Sequence, residues 1–217
     1  LTDGTNRKLL EPSMGTGNFF SVLPPQWEQA ELHGVELDDL TGRIARQLYP
    51  SVNTHVQGFE TVKWNNTRFD AIFSNIPFHN IRIMDQRYKR NYLIHDYFFI
   101  RSIDLLKPGG ILAFIVSKGT LDKQDNTVRK ILAEQAELVG AVRLPNTVFQ
   151  SLAGTTVTTD IVFLQKRASS QHFSKDEWPE WTEVGQTTDG IPINRYYLSH
   201  PEQLLGSMVW DGGMYGA

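Results

Sequence analysis

The fold of this chain is decided by the stretch Lys8-Leu9-Leu10-Glu11-Pro12-Ser13-Met14-Gly15-Thr16-Gly17-Asn18-Phe19-Phe20, which reads as a strand, a tight glycine turn and the start of a helix. Glycines let the backbone approach a ligand closely, and the N-terminus of a helix offers free N–H groups. A dinucleotide-binding fingerprint needs a third glycine at position 20, where this chain has Phe20, so the turn disfavours pyrophosphate. Glu11-Pro12 at its entry instead suits a cofactor without phosphates.

The next strand, Leu32-His33-Gly34-Val35-Glu36, ends in an acid. Glu36 stands where folds of this kind hydrogen-bond the two hydroxyls of a ribose. A glycine turn alone is a weak signal, and so is a single acid after a strand. Their succession predicts a nucleoside cofactor.

A third motif closes a buried apolar strand, Phe69-Asp70-Ala71-Ile72-Phe73-Ser74-Asn75-Ile76-Pro77-Phe78. Proline lacks an N–H group and fixes its own φ, so a strand that ends there exposes carbonyls that cannot continue a ladder. The side-chain oxygen of Asn75 and the carbonyl of Ile76 can accept both hydrogens of a planar exocyclic amine, and Phe78 offers a stacking surface for the ring. An ordinary strand ending at a proline turn has the same pattern. The order of the three motifs favours the functional interpretation.

Together these motifs resemble the S-adenosylmethionine-dependent N6-adenine DNA methyltransferases, especially the modification subunits of type I restriction systems and the methylase domain of phage and mobile-element helicase–methylase fusions. The resemblance covers about residues 7 to 167. Four further motifs support the resemblance: Leu105-Leu106-Lys107-Pro108-Gly109-Gly110, Arg143-Leu144-Pro145-Asn146, Ala153-Gly154-Thr155-Thr156 and Thr159-Asp160-Ile161-Val162-Phe163-Leu164.

The resemblance implies a class I methyltransferase fold, an α/β Rossmann-like sheet of seven mostly parallel strands with helices on both faces. It also implies that the strand near 159–166 runs antiparallel to the rest. It implies S-adenosylmethionine as the cofactor and places the target amine at residues 75–78. The residues it implies for the cofactor are Glu11, Gly15 and Gly17 at the methionine part and Glu36 at the ribose, with Pro12 and Phe19 as further cofactor-binding residues.

Two positions depart from the family pattern. Ile76 stands where the family usually has proline, but the residue contributes only a carbonyl, which isoleucine also supplies. After the third strand the family commonly shows an acid that touches the adenine of the cofactor, whereas this chain has Gln57-Gly58-Phe59-Glu60. Phe59 could stack on that adenine, or Glu60 could bond its amine, and both interpretations stay open.

Composition excludes several classes of protein. The chain has 217 residues, 40% of them hydrophobic, and no cysteine. A disulfide scaffold, a cysteine zinc site and an iron–sulfur centre are therefore excluded, as is methylation at cytosine C5, which needs a cysteine nucleophile. The histidines show no metal spacing, and no apolar run approaches the roughly 18 residues of a spanning helix. We expect a cytoplasmic protein with no metal and no membrane segment.

Alternation of strand and helix patterns predicts an α/β sheet. Strands are expected near 8–11, 32–36, 52–57, 69–75, 111–117, 138–144 and 159–166. A helix is expected from about Leu93 to Leu106, with a break at Lys107-Pro108-Gly109-Gly110 before the next strand. That strand is apolar throughout and is expected at the centre of the sheet, buried on both faces.

Two domains are expected, a catalytic domain over residues 1–167 and an appendage over residues 168–217. The appendage is expected to pack on the core through Trp178, Trp181 and Trp210, as a hairpin with a short helix around Pro201 to Leu205. We interpret the chain as a fragment of a larger protein, because the methyltransferases it resembles have a helical region before the cofactor strand.

The net charge is −3, but the acids are concentrated from residue 168 onward, so the catalytic part is slightly basic. Arg82, Arg87, Lys89 and Arg90 follow the third motif with Asp85 as the acid among them. A basic loop beside an active site suits a phosphate backbone, although a solvated surface loop has the same composition. Phe149 could stack on the second face of a flipped base, and core packing is an equal alternative for it.

We therefore interpret the chain as a DNA adenine N6-methyltransferase domain, with DNA as substrate and a specificity subunit or a fused helicase as a possible partner. The same amine chemistry could act on cytosine N4, an RNA base or a protein glutamine, whose planar amide fits the same pocket. An alternative from a different class is a catalytically silent methyltransferase-like module for DNA binding or assembly.

Overall fold

The computed structural model describes residues 7–149 and 157–209. Its strands are β1 (Lys8–Glu11), β2 (Glu31–Glu36), β3 (Asn53–Val56), β4 (Phe69–Asn75), β5 (Arg82–Ile83), β6 (Tyr92–Leu93), β7 (Leu106–Ser117), β8 (Ala136–Leu144), β9 (Thr159–Lys166), β10 (Val184–Gln186) and β11 (Pro192–Asn194). Its α-helices are α1 (Asp39–Leu48), α2 (Ile94–Leu105), α3 (Gly119–Asp122), α4 (Thr127–Gln135) and α5 (Arg195–Ser199).

One seven-stranded sheet organises the molecule, in the order β3-β2-β1-β4-β7-β9-β8. The pairs from β3 to β7 are parallel, and β9 runs antiparallel to both of its neighbours. The seven strands expected from the sequence are all present, and the expected direction of β9 is confirmed. The order of strands reverses between β1 and β4, and ligands bind in open α/β sheets outside the carboxyl ends of the strands at such a point.

The sequence pattern predicted an α-helix after the glycine turn, but the structure has no α-helix there. Residues Asn18–Val22 form a short 3₁₀ helix instead, and Pro25–Trp27 form another. Pro24 and Pro25 explain the difference, because proline has no N–H group to continue an α-helical ladder.

The predicted end of α2 is confirmed to within one residue, but the four residues expected between the helix and the next strand belong to that strand. The helix ends at Leu105 and β7 begins at Leu106, so Lys107-Pro108-Gly109-Gly110 lies inside a strand. Leu106 pairs with Phe69 and Ile111 with Ala71, which makes the inserted residues a bulge. Gly109 supplies its left-handed conformation, with φ at 77°.

The helix α2 lies in the interior and is buried on most of its circumference. Phe99 packs edge-to-face on Phe114 of the central strand β7, with ring centroids 5.1 Å apart. Buried Trp181 and half-buried Trp178 of the appendage join the same hydrophobic core. The expected hairpin is present as β10 and β11. The α-helix that follows it is α5, whereas Pro201–Gln203 form a 3₁₀ helix, and Trp210 lies outside the described residues.

Buried polar groups connect the appendage to the helices α3 and α4 of the catalytic part. Arg129 on α4, 2% exposed, donates to the carbonyls of Thr182 (3.0 Å), Thr120 (3.3 Å) and Lys123 (2.8 Å). Asn194 is fully buried, and its side-chain nitrogen donates to the carbonyl of Leu121 at 2.8 Å. These bonds satisfy groups that would be costly to bury alone.

A second buried polar group lies between the last two strands of the sheet. Arg143 on β8 forms two hydrogen bonds of 2.8 and 2.9 Å to the carboxylate of Asp160 on β9. A third bond, 2.8 Å long, joins Arg143 to Asp122 on α3. Its backbone carbonyl accepts the N–H of Leu205 at 2.9 Å, so the appendage also contacts the outer strand of the sheet.

Candidate active site

The glycine turn, residues 12–18, lies at the carboxyl end of β1. Gly15 and Gly17 have φ of 54° and 88°, a conformation that glycine adopts at least cost. A Cβ on Gly17 would lie 2.8 Å from Cε2 of Tyr49, so a larger residue there would collide with the ring. A Cβ on Gly15 would meet nothing within 4 Å among the described residues. Gly15 therefore faces open space beside the ends of β1 and β2.

Glu36 fixes the glycine turn to the end of β2. Its Oε2 accepts the N–H of Gly15 at 2.9 Å, and its Oε1 accepts the N–H of Asp38 at 2.8 Å. Sequence reasoning placed Glu36 on a ribose and missed this backbone role. Each carboxylate oxygen has more than one lone pair, so acceptor capacity remains beside the turn.

Glu11 ends β1 and is 1% exposed. Its Oε2 is buried and has no hydrogen-bond partner within the described residues. Burial, and then the negative charge of Glu36, raise the pKa of Glu11 to about 9. Native structures rarely leave such an atom unpaired, so it points to a missing partner that donates hydrogen bonds. An ammonium group beside Glu11 would lower this pKa again and pair with the carboxylate, and the amino group of S-adenosylmethionine fits that requirement.

The asparagine turn, residues 75–78, lies at the carboxyl end of β4, beside the glycine turn. Asn75 is exposed, and within the described residues its amide forms no hydrogen bond. Ile76 is 1% exposed and its N–H donates to the carbonyl of Ile115 at 3.3 Å. Pro77 is half-buried and Phe78 is 39% exposed. Within the described residues, the turn thus combines a side-chain amide without a partner, that of Asn75, with the exposed ring of Phe78 on a hydrogen-bonded backbone.

The two turns are connected directly. Ser74 is buried, and its Oγ donates to the carbonyl of Ser13 at 3.2 Å. Phe19 packs on Phe73 of β4 with ring centroids 5.8 Å apart, and Pro12 is buried beside them. The cofactor residues implied at the turn are therefore brought next to the strand that carries Asn75.

The two residues proposed for an adenine lie in different environments. Phe59 is 3% exposed, and its ring packs on Tyr97 (6.0 Å between centroids) and Phe98 (5.1 Å). The structure does not favour stacking on Phe59, because the ring is already committed to the core. Glu60 is half-buried, and its carboxylate folds back over Gly58 at the end of β3.

The basic loop, residues 79–91, divides into two kinds of side chain. Arg87 is bound within the protein to Asp85 and to the carbonyl of Glu60, so its assignment to phosphate is not favoured. Arg82 is exposed and donates to the carbonyl of Asn91 at 2.9 Å. Two further members are exposed and have no side-chain partner within the described residues: Lys89 and Arg90.

Two candidates lie beyond β7. Phe149 is half-buried at the end of the described segment 7–149, and nothing there shows a stacking role. Sequence reasoning missed Lys118, which follows β7 directly at the same edge as Asn75. Its position after a central parallel strand was the available signal.

The described residues give no support for a metal site or for a membrane-spanning helix. In them, no group of three or more His, Asp or Glu side chains could hold a metal ion. Across residues 7–149 and 157–209, each helix is too short or too polar to cross a membrane.

Comparison with known proteins agrees with this geometry. Residues 1–177 match the family described as N-6 DNA Methylase. The Defense against restriction protein B of Escherichia phage P1 is 32% identical over 163 residues, which is 72% of this chain and 7% of that protein.

Two solved structures share the fold. A protein of Listeria monocytogenes assigned as a class I S-adenosylmethionine-dependent methyltransferase has a TM-score of 0.65 and 22% identity, over 79% of this chain and 57% of that one. The methyltransferase subunit of a type I restriction-modification system of Streptococcus thermophilus has a TM-score of 0.64 and 21% identity, over 76% and 40% of the two chains. The predicted class I methyltransferase fold is confirmed. The chain spans only a part of each of these proteins.

Proposed function

Since the chain belongs to the N-6 DNA Methylase family, we propose that it transfers a methyl group from S-adenosylmethionine to the N6 amine of adenine in DNA. One observation carries the proposal. Within the described residues, Glu11 at the end of β1 has a buried carboxyl oxygen with no hydrogen-bond partner, and the side-chain amide of Asn75 at the end of the neighbouring strand β4 has none either. The site therefore offers a cationic cofactor and a planar amine their own binding groups at one edge of the sheet.

We assign the methionine part of the cofactor to Glu11 and to the open space at Gly15, and the ribose to Glu36. Glu11 provides the acceptor that an ammonium group needs, and Glu36 provides lone pairs for two hydroxyl groups. Glu60, in the 3₁₀ helix Phe59–Thr61 after β3, is the acid we assign to the adenine amine. When bound, S-adenosylmethionine supplies an electrophilic methyl group on its sulfonium.

The asparagine turn holds the target amine. Oδ1 of Asn75 and the carbonyl of Ile76 accept its two hydrogens, which draws the nitrogen lone pair out of conjugation with the ring. Phe78 provides the stacking surface for that ring, being 39% exposed. An enzyme that reacts with a base takes the base out of the stack, so we propose that the adenine is flipped into this site.

DNA is proposed to lie along the basic loop. Lys89 and Arg90 are exposed with no side-chain partner in the described part of the chain, as phosphate-binding groups require. Lys118 lies at the same edge of the sheet, after β7. Arg82 keeps an exposed guanidinium beside them, and Phe149 remains a candidate for the second face of the base.

We further propose that the chain works as one domain of a larger protein, with a specificity subunit or a fused helicase as partner. The support is that the match covers only 7% of the phage P1 protein and 40% of the Streptococcus thermophilus subunit.

The proposal is tested by methyl transfer from tritiated S-adenosylmethionine to DNA, followed by digestion to nucleosides. We expect the label in N6-methyladenine, and we expect Asn75→Ala to lower the rate at saturation by about 100-fold or more, as for other lost polarising contacts. Asn53→Ala is the matched control, because Asn53 is an exposed asparagine at the start of β3, away from the site.

Three outcomes would contradict the proposal. N6-methyladenine formation that survives Asn75→Ala would remove Asn75 from the mechanism. Label in N4-methylcytosine, RNA or protein would move the reaction to another amine. Cofactor binding without any methyl transfer would instead support the silent module.

A further inference from the structure

Asp85 is a buried carboxylate in the middle of the basic loop, with its side chain 5% exposed. Its Oδ1 accepts the backbone N–H of Arg87 at 3.0 Å. Its Oδ2 accepts Nε of Arg87 at 3.1 Å, Nη2 of Arg87 at 2.8 Å and the hydroxyl of Tyr97 at 2.7 Å. Burial raises the pKa of Asp85, but these hydrogen bonds and the charge of Arg87 outweigh it and hold the pKa below its usual range. The carboxylate is therefore fixed in charged form.

Arg87 extends this contact to a second element. Its Nη2 also donates to the backbone carbonyl of Glu60 in the 3₁₀ helix Phe59–Thr61. That short helix follows β3, and the N–H of Gln57 donates to the carbonyl of Glu36 at 2.9 Å. One guanidinium thus connects the loop after the asparagine turn with residues 57–61, the segment that follows β3 and contacts Glu36.

Residues 57–61 are also held by a contact in the core. Phe59 packs on Tyr97, and Tyr97 donates to Asp85. The short helix that carries Glu60 is therefore held by the ring of Phe59 in the core and by the Arg87 guanidinium at the surface. Removal of the guanidinium leaves the ring contact intact and takes away the hydrogen bond to the carbonyl of Glu60.

We propose that Arg87 is a positioning residue, which sets Glu60 against the adenine of the cofactor and holds the basic loop beside the asparagine turn. The inference rests on the proposed function, because it assigns the adenine to Glu60. It differs from the phosphate-binding role that the sequence predicted for Arg87. Phosphate contact belongs to the neighbouring Lys89 and Arg90.

Arg87→Lys is the diagnostic variant. The lysine ammonium ends about where the guanidinium carbon lies, so it keeps a positive charge beside Asp85 but stops one bond short of the nitrogen that contacts Glu60. Arg87→Ala removes both contacts and leaves Asp85 without its charged partner. Arg90→Ala is the matched control, an exposed arginine of the same loop.

Three measurements separate the roles: calorimetric binding of S-adenosylhomocysteine, the melting temperature, and the salt dependence of DNA binding. We expect Arg87→Lys to melt near the wild-type temperature and to bind the nucleoside about fivefold more weakly, as for one lost hydrogen bond. Arg87→Ala should melt lower and bind at least as weakly. Neither should change the salt slope, whereas Arg90→Ala should reduce it by about one unit.

Two results would overturn the inference alone. One is wild-type affinity for S-adenosylhomocysteine in Arg87→Lys, and the other is a salt slope that falls in Arg87→Ala, which removes the charge, as it does in Arg90→Ala. Failure of the wild-type protein to bind S-adenosylhomocysteine would overturn the proposed function, and the inference with it.

Discussion

Glu11 keeps its proton at neutral pH because its carboxyl group is buried and faces Glu36. In the unfolded chain the same group ionises near its ordinary pKa of 4.5, whereas in the folded protein the pKa is about 9. Between these values the folded state binds more protons than the unfolded state. Its contribution to stability is therefore fully present below pH 4.5 and is lost as the pH rises toward 9.

This predicts that Glu11→Gln stabilises the unliganded protein at alkaline pH. Glutamine fills the same space without a proton to lose, so we expect a gain on the order of a few kcal/mol at pH 8 and little gain near pH 4.5. Urea unfolding at both values measures it, with exposed Glu28→Gln as the control. Parallel pH profiles for wild type and Glu11→Gln would refute the assignment of the unusual proton to Glu11.

The same residue shows where sequence reasoning stopped. The pattern placed Glu11 and Glu36 correctly at the ends of neighbouring strands. It could not show that Glu36 also binds the backbone of Gly15, nor that Glu11 is buried with an unpaired oxygen. Both facts depend on how the turn closes over the strands, which residue spacing does not determine.

At the scale of elements, the end of β4 limits what can replace Ile76. Its carbonyl is the group proposed for the reaction, and proline has that carbonyl. The N–H of Ile76, however, donates to Ile115, and the side chain is buried in the core. Proline would leave the carbonyl of Ile115 unpaired and would fill the site less well.

We expect Ile76→Pro to lower the free energy of unfolding by about 1–3 kcal/mol while methyl transfer persists below the melting temperature. Ile76→Val keeps the N–H group and is expected to cost only about 0.5–1.5 kcal/mol. Unfolding by urea and the methyl-transfer rate, measured on the same preparations, test both. Ile76→Pro as stable as wild type would show that this hydrogen bond contributes little.

The central strands were predictable because β4 and residues 111–117 of β7 are largely apolar runs next to turn residues. Connections were harder to predict. Lys107-Pro108-Gly109-Gly110 has the composition of a loop, yet the pairing of Leu106 with Phe69 keeps it in the sheet as a bulge. Phe59 likewise has the composition of a stacking residue, and only the position of α2 reveals that its ring is used in the core.

At the scale of the whole molecule, hydrogen bonds join the appendage to α3, α4 and β8 of the catalytic part. Arg129 depends on the carbonyl of Thr182, Asn194 on that of Leu121, and the outer strand on Leu205. The sequence predicted a boundary near residue 167, but these bonds cross it. We therefore propose that the two parts fold as one cooperative unit.

A chain that ends at Arg167 is expected to lose at least about 3–5 kcal/mol of stability, roughly the cost of removing one buried tryptophan such as Trp181 from the core. We expect calorimetry to show a single transition for the full chain and no sharp transition for the shortened one. Lys175→Ala, an exposed change in the appendage, is the control. A shortened chain that melts sharply near the same temperature would show instead that the catalytic part is independent.

The direct junction of α2 with β7 also bears on how proteins of this design can diverge. Leu105 ends the helix and Leu106 begins the strand, so there is no connecting residue where the chain could lengthen. The basic loop is exposed along most of its length, and such segments tolerate insertions best. Insertions would therefore accumulate in the basic loop, beside the asparagine turn. New target preferences could then arise from this loop while the sheet stays unchanged.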